Sequence, residues 1–228
     1  MSRFERVKAL VGNEAYEKLK KSTVAVFGIG GVGGYVVEAL ARSGLGNVVI
    51  FDNDVVCDSN VNRQIIATTK TLGTSKVQAM LDRLMDINPE INVVINKVFY
   101  LPENANQFSF KDYDFVVDAV DTVSAKIEII SRAKKEGVEV ISCMGTGAKL
   151  DPLKLKVSKL EDTKGCPLAR VMRRELRQRD ITGVKVVYSE EQPLVNVSER
   201  GNIPSMIFVP ATAGIIIASE VIKDLINR

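Results

Sequence analysis

The sequence predicts an α/β fold: a doubly wound, mainly parallel sheet with helices on both faces and an antiparallel C-terminal extension. Three observations carry that expectation. Apolar, β-branched runs alternate with helical stretches through residue 150. A glycine-rich turn, Gly28-Ile29-Gly30-Gly31-Val32-Gly33-Gly34, joins the first strand of that series to a helix. Beyond Leu150 the pattern changes to short alternating runs around one basic helix.

Residues 1–21 are mixed in charge and predict a helical arm, with no apolar core of a secretion signal. Thr23–Ile29 predicts a strand, Gly30–Gly34 a turn, and Val36–Ser43 a helix stopped by Gly44. Asn47–Asn53 predicts a second buried strand. Asp54–Thr74 has no period, and a loop that long in a compact domain is functional or mobile. Ser75 is placed to cap a helix over Lys76–Ile87, which Pro89 follows. Strands are expected at Ile91–Phe99, Asp114–Val120 and Val138–Met144, with a helix over Ser124–Glu136 closed by Gly137. The C-terminal part predicts strands at Leu155–Leu160, Val184–Ser189 and Ser205–Val209. It also predicts a basic helix over Cys166–Asp180 and a buried helix over Thr212–Ile226. No linker or repeat divides the chain, so one domain is expected: an arm (1–21), a nucleotide-binding core (22–150) and an extension (151–228) for substrate and dimer contacts.

Composition narrows the chemistry. The chain has no histidine, which excludes Ser-His-Asp and Cys-His catalysis. Its three cysteines, Cys57, Cys143 and Cys166, form no CxxC pair, so no zinc site is expected. An odd cysteine count with no secretion signal points to the reducing cytoplasm. No apolar run approaches the roughly 20 residues that span a bilayer. Net charge is only +3, yet Lys164–Lys185 holds seven basic residues against two acidic ones, a candidate polyanion surface.

The glycine turn contains GxGxxG at Gly28, Gly30 and Gly33, between a strand and a helix. Glycines let the backbone approach a phosphate, and the helix that follows presents free N–H groups and its positive dipole end. Asp52, at the end of the second strand, is placed to accept hydrogen bonds from a ribose. These features predict a nucleotide and leave NAD, FAD and ATP open. Arg63 and Lys76 favour ATP, because a triphosphate and a departing pyrophosphate need cations that a dinucleotide does not. Asp121 follows a parallel strand at the carboxyl edge of the sheet, where a carboxylate can hold Mg²⁺.

In order, Gly28–Gly34 with Gly31 inside it, Asp52 and Asp54, Ser59-Asn60-Val61-Asn62-Arg63-Gln64, Lys76 and Asp121 resemble the MoeB/ThiF/HesA superfamily, relatives of ubiquitin-activating enzymes that adenylate carboxylates with MgATP. The resemblance implies that Asp52 holds the ribose, that Asn60, Arg63 and Lys76 hold the phosphates with Asp54 and Gln64 beside them, and that Asp121 holds Mg²⁺. It also implies that Arg6 reaches into a partner subunit's site, hence a homodimer. The stretches Met144–Pro152, Cys166–Arg177, Lys185–Ser189 and Phe208–Pro210 are similar to the tRNA threonylcarbamoyladenosine dehydratases. That similarity implies adenylation of a carboxylate on a modified tRNA adenosine, then ring closure with net loss of water. It leaves any sulfur or cysteine-desulfurase partner undefined. Two departures separate the chain from sulfur-carrier and ubiquitin activators: it lacks paired CxxC motifs, and no cysteine is an evident catalytic thiol. Cys166, before Pro167 at a helix start, sits where a thiolate could be stabilised, though an incidental buried thiol fits it better. Arg170, Arg173, Arg174 and Arg177 recur at i, i+3, i+4 and i+7, which puts them on one helical face as the expected tRNA contact. A NAD-binding Rossmann-like protein is the more distant alternative, which Arg63, Lys76 and Asp121 argue against.

Overall fold

The computed structural model describes residues 3–195 and 203–227. Its strands are β1 (Thr23–Phe27), β2 (Asn47–Phe51), β3 (Asn92–Asn96), β4 (Phe115–Asp118), β5 (Glu139–Cys143), β6 (Leu155–Lys159) and β7 (Lys185–Ser189). They form one sheet in the order β3-β2-β1-β4-β5-β7-β6. Every pairing is parallel except β6 with β7. The antiparallel extension is therefore narrower than the sequence suggested, because β7 joins the parallel sheet beside β5 and only the edge strand β6 runs the other way.

The strand sequences explain the layering. β1 (TVAVF), β2 (NVVIF) and β4 (FVVD) are near-continuous apolar runs, as strands covered on both faces require. Val24 and Val26 of β1 face one core, while Ala25 and Phe27 face the other. The first core is covered by α2 (Asn13–Lys21), α3 (Gly33–Arg42), α4 (Lys76–Ile87) and α7 (Phe208–Ile226). The second is covered by α5 (Val123–Glu136) and α6 (Pro167–Arg177), and holds a ring cluster in which Phe27 and Phe51 stack at 4.2 Å. β3 (NVVIN) is half exposed, as an edge strand can be.

The N-terminal arm is two helices, α1 (Glu5–Val11) and α2, broken at Gly12, whose φ of 85° no helix continues, and three expectations beyond the arm need correction. Tyr16 and Leu19 bury α2 against the body. Ser205–Val209 is not a strand. Its first residues are irregular, tied down where Asn62 Nδ2 donates to the Ser205 carbonyl at 2.8 Å, and α7 has begun by Phe208. Pro210 suits that first helical turn, where its missing N–H leaves no bond unmade. Ser75 occupies the position before α4, but its hydroxyl makes no cap and is buried without a partner among the described residues. Lys185 leaves the basic cluster, because its ammonium pairs with Asp224 at 2.7 Å on α7.

The long segment after β2 is ordered by its own backbone. Val56 N–H donates to the Thr74 carbonyl, Gly73 N–H to the Val56 carbonyl, and Val55 bridges Ser75. Ile66 and Ala67 anchor it in the first core. Among the described residues, no helix is long and apolar enough to cross a membrane.

Candidate active site

The strand order reverses between β1 and β4, and at such a switch point the loops after the strands diverge and open a crevice. A cavity of about 930 Å³ lies there. Gly28 has φ +87° and donates its N–H to the Phe51 carbonyl at 2.8 Å, so the turn leaves β1 tied to the end of β2. A Cβ on Gly33 would stand 1.8 Å from the Gly28 carbonyl oxygen, so only glycine lets α3 start this close to the turn. The first turn of α3 is closed by the Gly34 N–H donating to the Gly30 carbonyl at 3.1 Å and the Tyr35 and Val36 N–H groups to the Val32 carbonyl. The positive end of the helix dipole, rather than free donors of that turn, thus faces the glycine turn that lines the cavity.

Asp52 fixes the neighbouring wall. One carboxylate oxygen accepts the Ile29 N–H at 2.7 Å and the other the Asp54 N–H at 2.9 Å. Lys76 enters from the start of α4, nearly buried, and pairs with the exposed Asp54 at 2.7 Å. Asn60 is buried and accepts the Cys57 N–H, which shapes the short turn before Arg63. Arg63 donates to the Ser59 carbonyl at 2.7 Å and lies against Gly31. Gln64 is buried, and its side-chain oxygen has no partner among the described residues. An orphaned acceptor beside a phosphate turn is a group waiting for a donor. Gly28, Gly30, Gly31, Asp52, Asp54, Asn60, Arg63, Gln64, Lys76 and Asp121 all line this one cavity. Gly33 stands just behind it, and Arg6, on α1, lines none of it.

Asp121 is exposed at the cavity rim, with the Thr122 hydroxyl 3.4 Å away. No group of three or more Cys, Asp or Glu is gathered to hold a metal among the described residues. Mg²⁺ needs no such group in a nucleotide site, since it keeps several waters and is held through one or two carboxylates and the phosphates. Asp121 therefore fits that role.

The sequence reasoning missed the group that positions Asp121. Asp118 ends β4 opposite Ser142 of β5, and both are fully buried. The Asp118 carboxylate accepts from the Ser142 hydroxyl and pairs at 3.0 Å with Lys126, itself fully buried on α5. Lys126 also donates to the Val120 carbonyl at 2.9 Å, pinning the turn that carries Asp121. The signal in the sequence was a lysine among the apolar residues of a helix directly after Asp118.

Two thiols line the far side of the cavity. Burial pushes the Cys143 thiol up to about 12, so it is protonated at neutral pH and is no nucleophile. Cys166 is also buried, at the start of α6. The basic face of α6 differs from the expected stripe. Arg170, Arg174 and Arg177 are exposed, but Arg173 is half-buried and donates to the Thr163 carbonyl and hydroxyl. Ala169, Met172 and Leu176 form the buried face, and position 173 adjoins it, so Arg173 folds under the helix. Arg174 pairs with Glu175 at 2.8 Å on the surface.

The ThiF family model matches residues 4–228. The chain belongs to the ThiF family. Within that family it is 40% identical to the tRNA threonylcarbamoyladenosine dehydratase of Bacillus subtilis, over 100% of this chain and 96% of the relative. It also resembles the E. coli tRNA N6-threonylcarbamoyladenosine dehydratase, TcdA, solved in complex with AMP and with ATP. The TM-score is 0.91 for each, with 32% and 31% identity, covering 99% of this chain and 94% of that one. This ThiF-family chain thus shares its whole length, and not only its nucleotide turn, with those proteins.

Proposed function

We propose that the chain is an ATP-dependent tRNA threonylcarbamoyladenosine dehydratase. The observation that carries this reading is full-length similarity to dehydratases together with a cavity that gathers the nucleotide-facing residues. ATP lies with its ribose on Asp52 and its phosphates over Gly28–Gly33, facing Asn60, Arg63, Gln64 and Lys76. The substrate carboxylate attacks the α-phosphorus, pyrophosphate leaves, and the acyl-adenylate is captured within the modified base, releasing AMP. Mg²⁺, held by Asp121 and the phosphates, supplies charge neutralisation when bound. The protein's own contribution is positioning and fixed positive charge. The deciding experiment is pyrophosphate release from MgATP with threonylcarbamoyladenosine-bearing tRNA, with a sulfur-carrier protein, or with neither. Release with the tRNA alone is expected. Release only with the carrier protein would overturn the reading.

The exposure of Arg6 on α1, away from its own cavity, suits a role in a partner subunit's site within a homodimer. Arg6→Ala chains mixed with Asp121→Ala chains should then regain part of the activity that each lacks. No recovery, once subunit exchange is demonstrated, would place Arg6 outside the partner's site.

α6 supplies the tRNA contact, through Arg170, Arg174 and Arg177 with Arg173 as their brace. Arg170→Glu with Arg177→Glu should weaken tRNA binding while ATP binding is unchanged. Each arginine withdrawn from a phosphate lowers the salt slope by about 0.7 to 0.9, readable by filter binding across a salt series. An unchanged slope would remove this helix from the interface. An RNA substrate of this kind suits a cytoplasmic enzyme.

A further inference from the structure

Among the described residues, three cations line the cavity: Arg63, Lys76 and Lys149. The sheet order separates them. Arg63 and Lys76 follow β2, whereas Lys149 follows β5, with the phosphate turn after β1 and Asp121 after β4 between. Lys76 is neutralised by Asp54, but Lys149 makes no ion pair among the described residues. Lys149 is 5% exposed, and its ammonium donates to one acceptor, the Ser189 carbonyl at 3.1 Å. An ammonium has three donors, so two have no acceptor among the described residues.

The local backbone is built to hold it there. Ala148 adopts φ +57°, a left-handed conformation that a non-glycine residue keeps only where its surroundings enforce it. Its N–H donates to the Pro204 carbonyl at 2.6 Å, and its carbonyl accepts the Leu194 N–H at 2.8 Å. Glu191 commits its carboxylate to the N–H groups of Leu150 and Asp151. Burial holds Lys149 below the ordinary lysine range, with the Cys166, Glu191 and Cys143 side chains acting in the opposite sense. A buried ammonium with no direct ion pair among the described residues is costly, and an anionic ligand lowers that cost.

We propose that Lys149 receives the free carboxylate of the acceptor substrate. This rests on the adenylation reading above. Bringing a carboxylate up to a triphosphate sets like charges together in a poorly screened cavity, and a cation on the acceptor side offsets that repulsion. Lys149 stands on that side.

The test uses an anticodon stem-loop RNA carrying threonylcarbamoyladenosine, and the same RNA with the carboxylate as its methyl ester. Wild-type chain should bind the acid about tenfold or more tightly than the ester, the scale of a charge-assisted hydrogen bond. Lys149→Met should lose that preference, Lys149→Arg should retain part of it, and all three should bind ATP alike. ATP affinity and the melting midpoint report the fold; if Lys149→Met does not fold, Lys149→Gln carries the test. A Lys149→Met chain that still prefers the acid overturns the assignment and leaves the adenylation reading standing. A wild-type chain that binds neither RNA and releases no pyrophosphate overturns both.

Discussion

Lys76→Ala should slow pyrophosphate release at saturating ATP about 10²- to 10³-fold, the range for losing one preorganised donor to transition-state charge. The fold should survive. Lys76 is nearly buried, but its partner Asp54 is 64% exposed and can be solvated once the ammonium is gone. ATP affinity should fall much less than rate, because the charge matters most as pyrophosphate departs. Asp54→Asn keeps the lysine and should cost less than Lys76→Ala. A Lys76→Ala chain within a few-fold of wild-type turnover would move the phosphate site away from α4.

Lys126→Met should lower stability by about 3 to 5 kcal/mol, because it strands the Asp118 carboxylate in a fully buried site. Urea unfolding would measure it. Adding Asp118→Asn should recover much of the loss, since the uncompensated charge is then removed as well. Activity should not return with stability. The double variant still lacks the ammonium that donates to the Val120 carbonyl, so the turn holding Asp121 is no longer pinned. If the double variant were no more stable than Lys126→Met alone, the pair would not be acting as a unit. If it were fully active, the turn would not depend on Lys126.

The parallel sheet and its switch point were legible because strands buried on both faces must be written as apolar runs between glycines and helices. That the expected nucleotide-facing groups line one cavity was legible because Gly28, Asp52 and Asp121 follow β1, β2 and β4, which are neighbours in the sheet. Three things were not. The seat of β7 depends on β6 turning outward, a long-range choice that no local pattern encodes. Ser205–Val209 has strand-forming residues, but with Pro204 before it and Pro210 just after it, the chain goes into α7 instead. Asp118, Lys126 and Lys149 carry ordinary surface residue types, and only the packing around them reveals burial. Arg173 shows the converse. Helical spacing assigned it to a solvent stripe, while the Thr163 carbonyl drew it beneath the helix.

The interior seat of β7 bears on how the chain is born. Ribosomal synthesis delivers β5 and β6 first, yet β6 has no neighbour until residues 185–189 emerge to stand between them. Until then the apolar edge of β5, Ile141 to Cys143, is an open template for pairing with another nascent chain. α7, the cover of the first core, to which Ile141 and Cys143 belong, follows all of these strands. A chain stalled before residue 185 therefore carries a five-stranded sheet with a live edge, and residues 185–189 guard the solubility of everything before them.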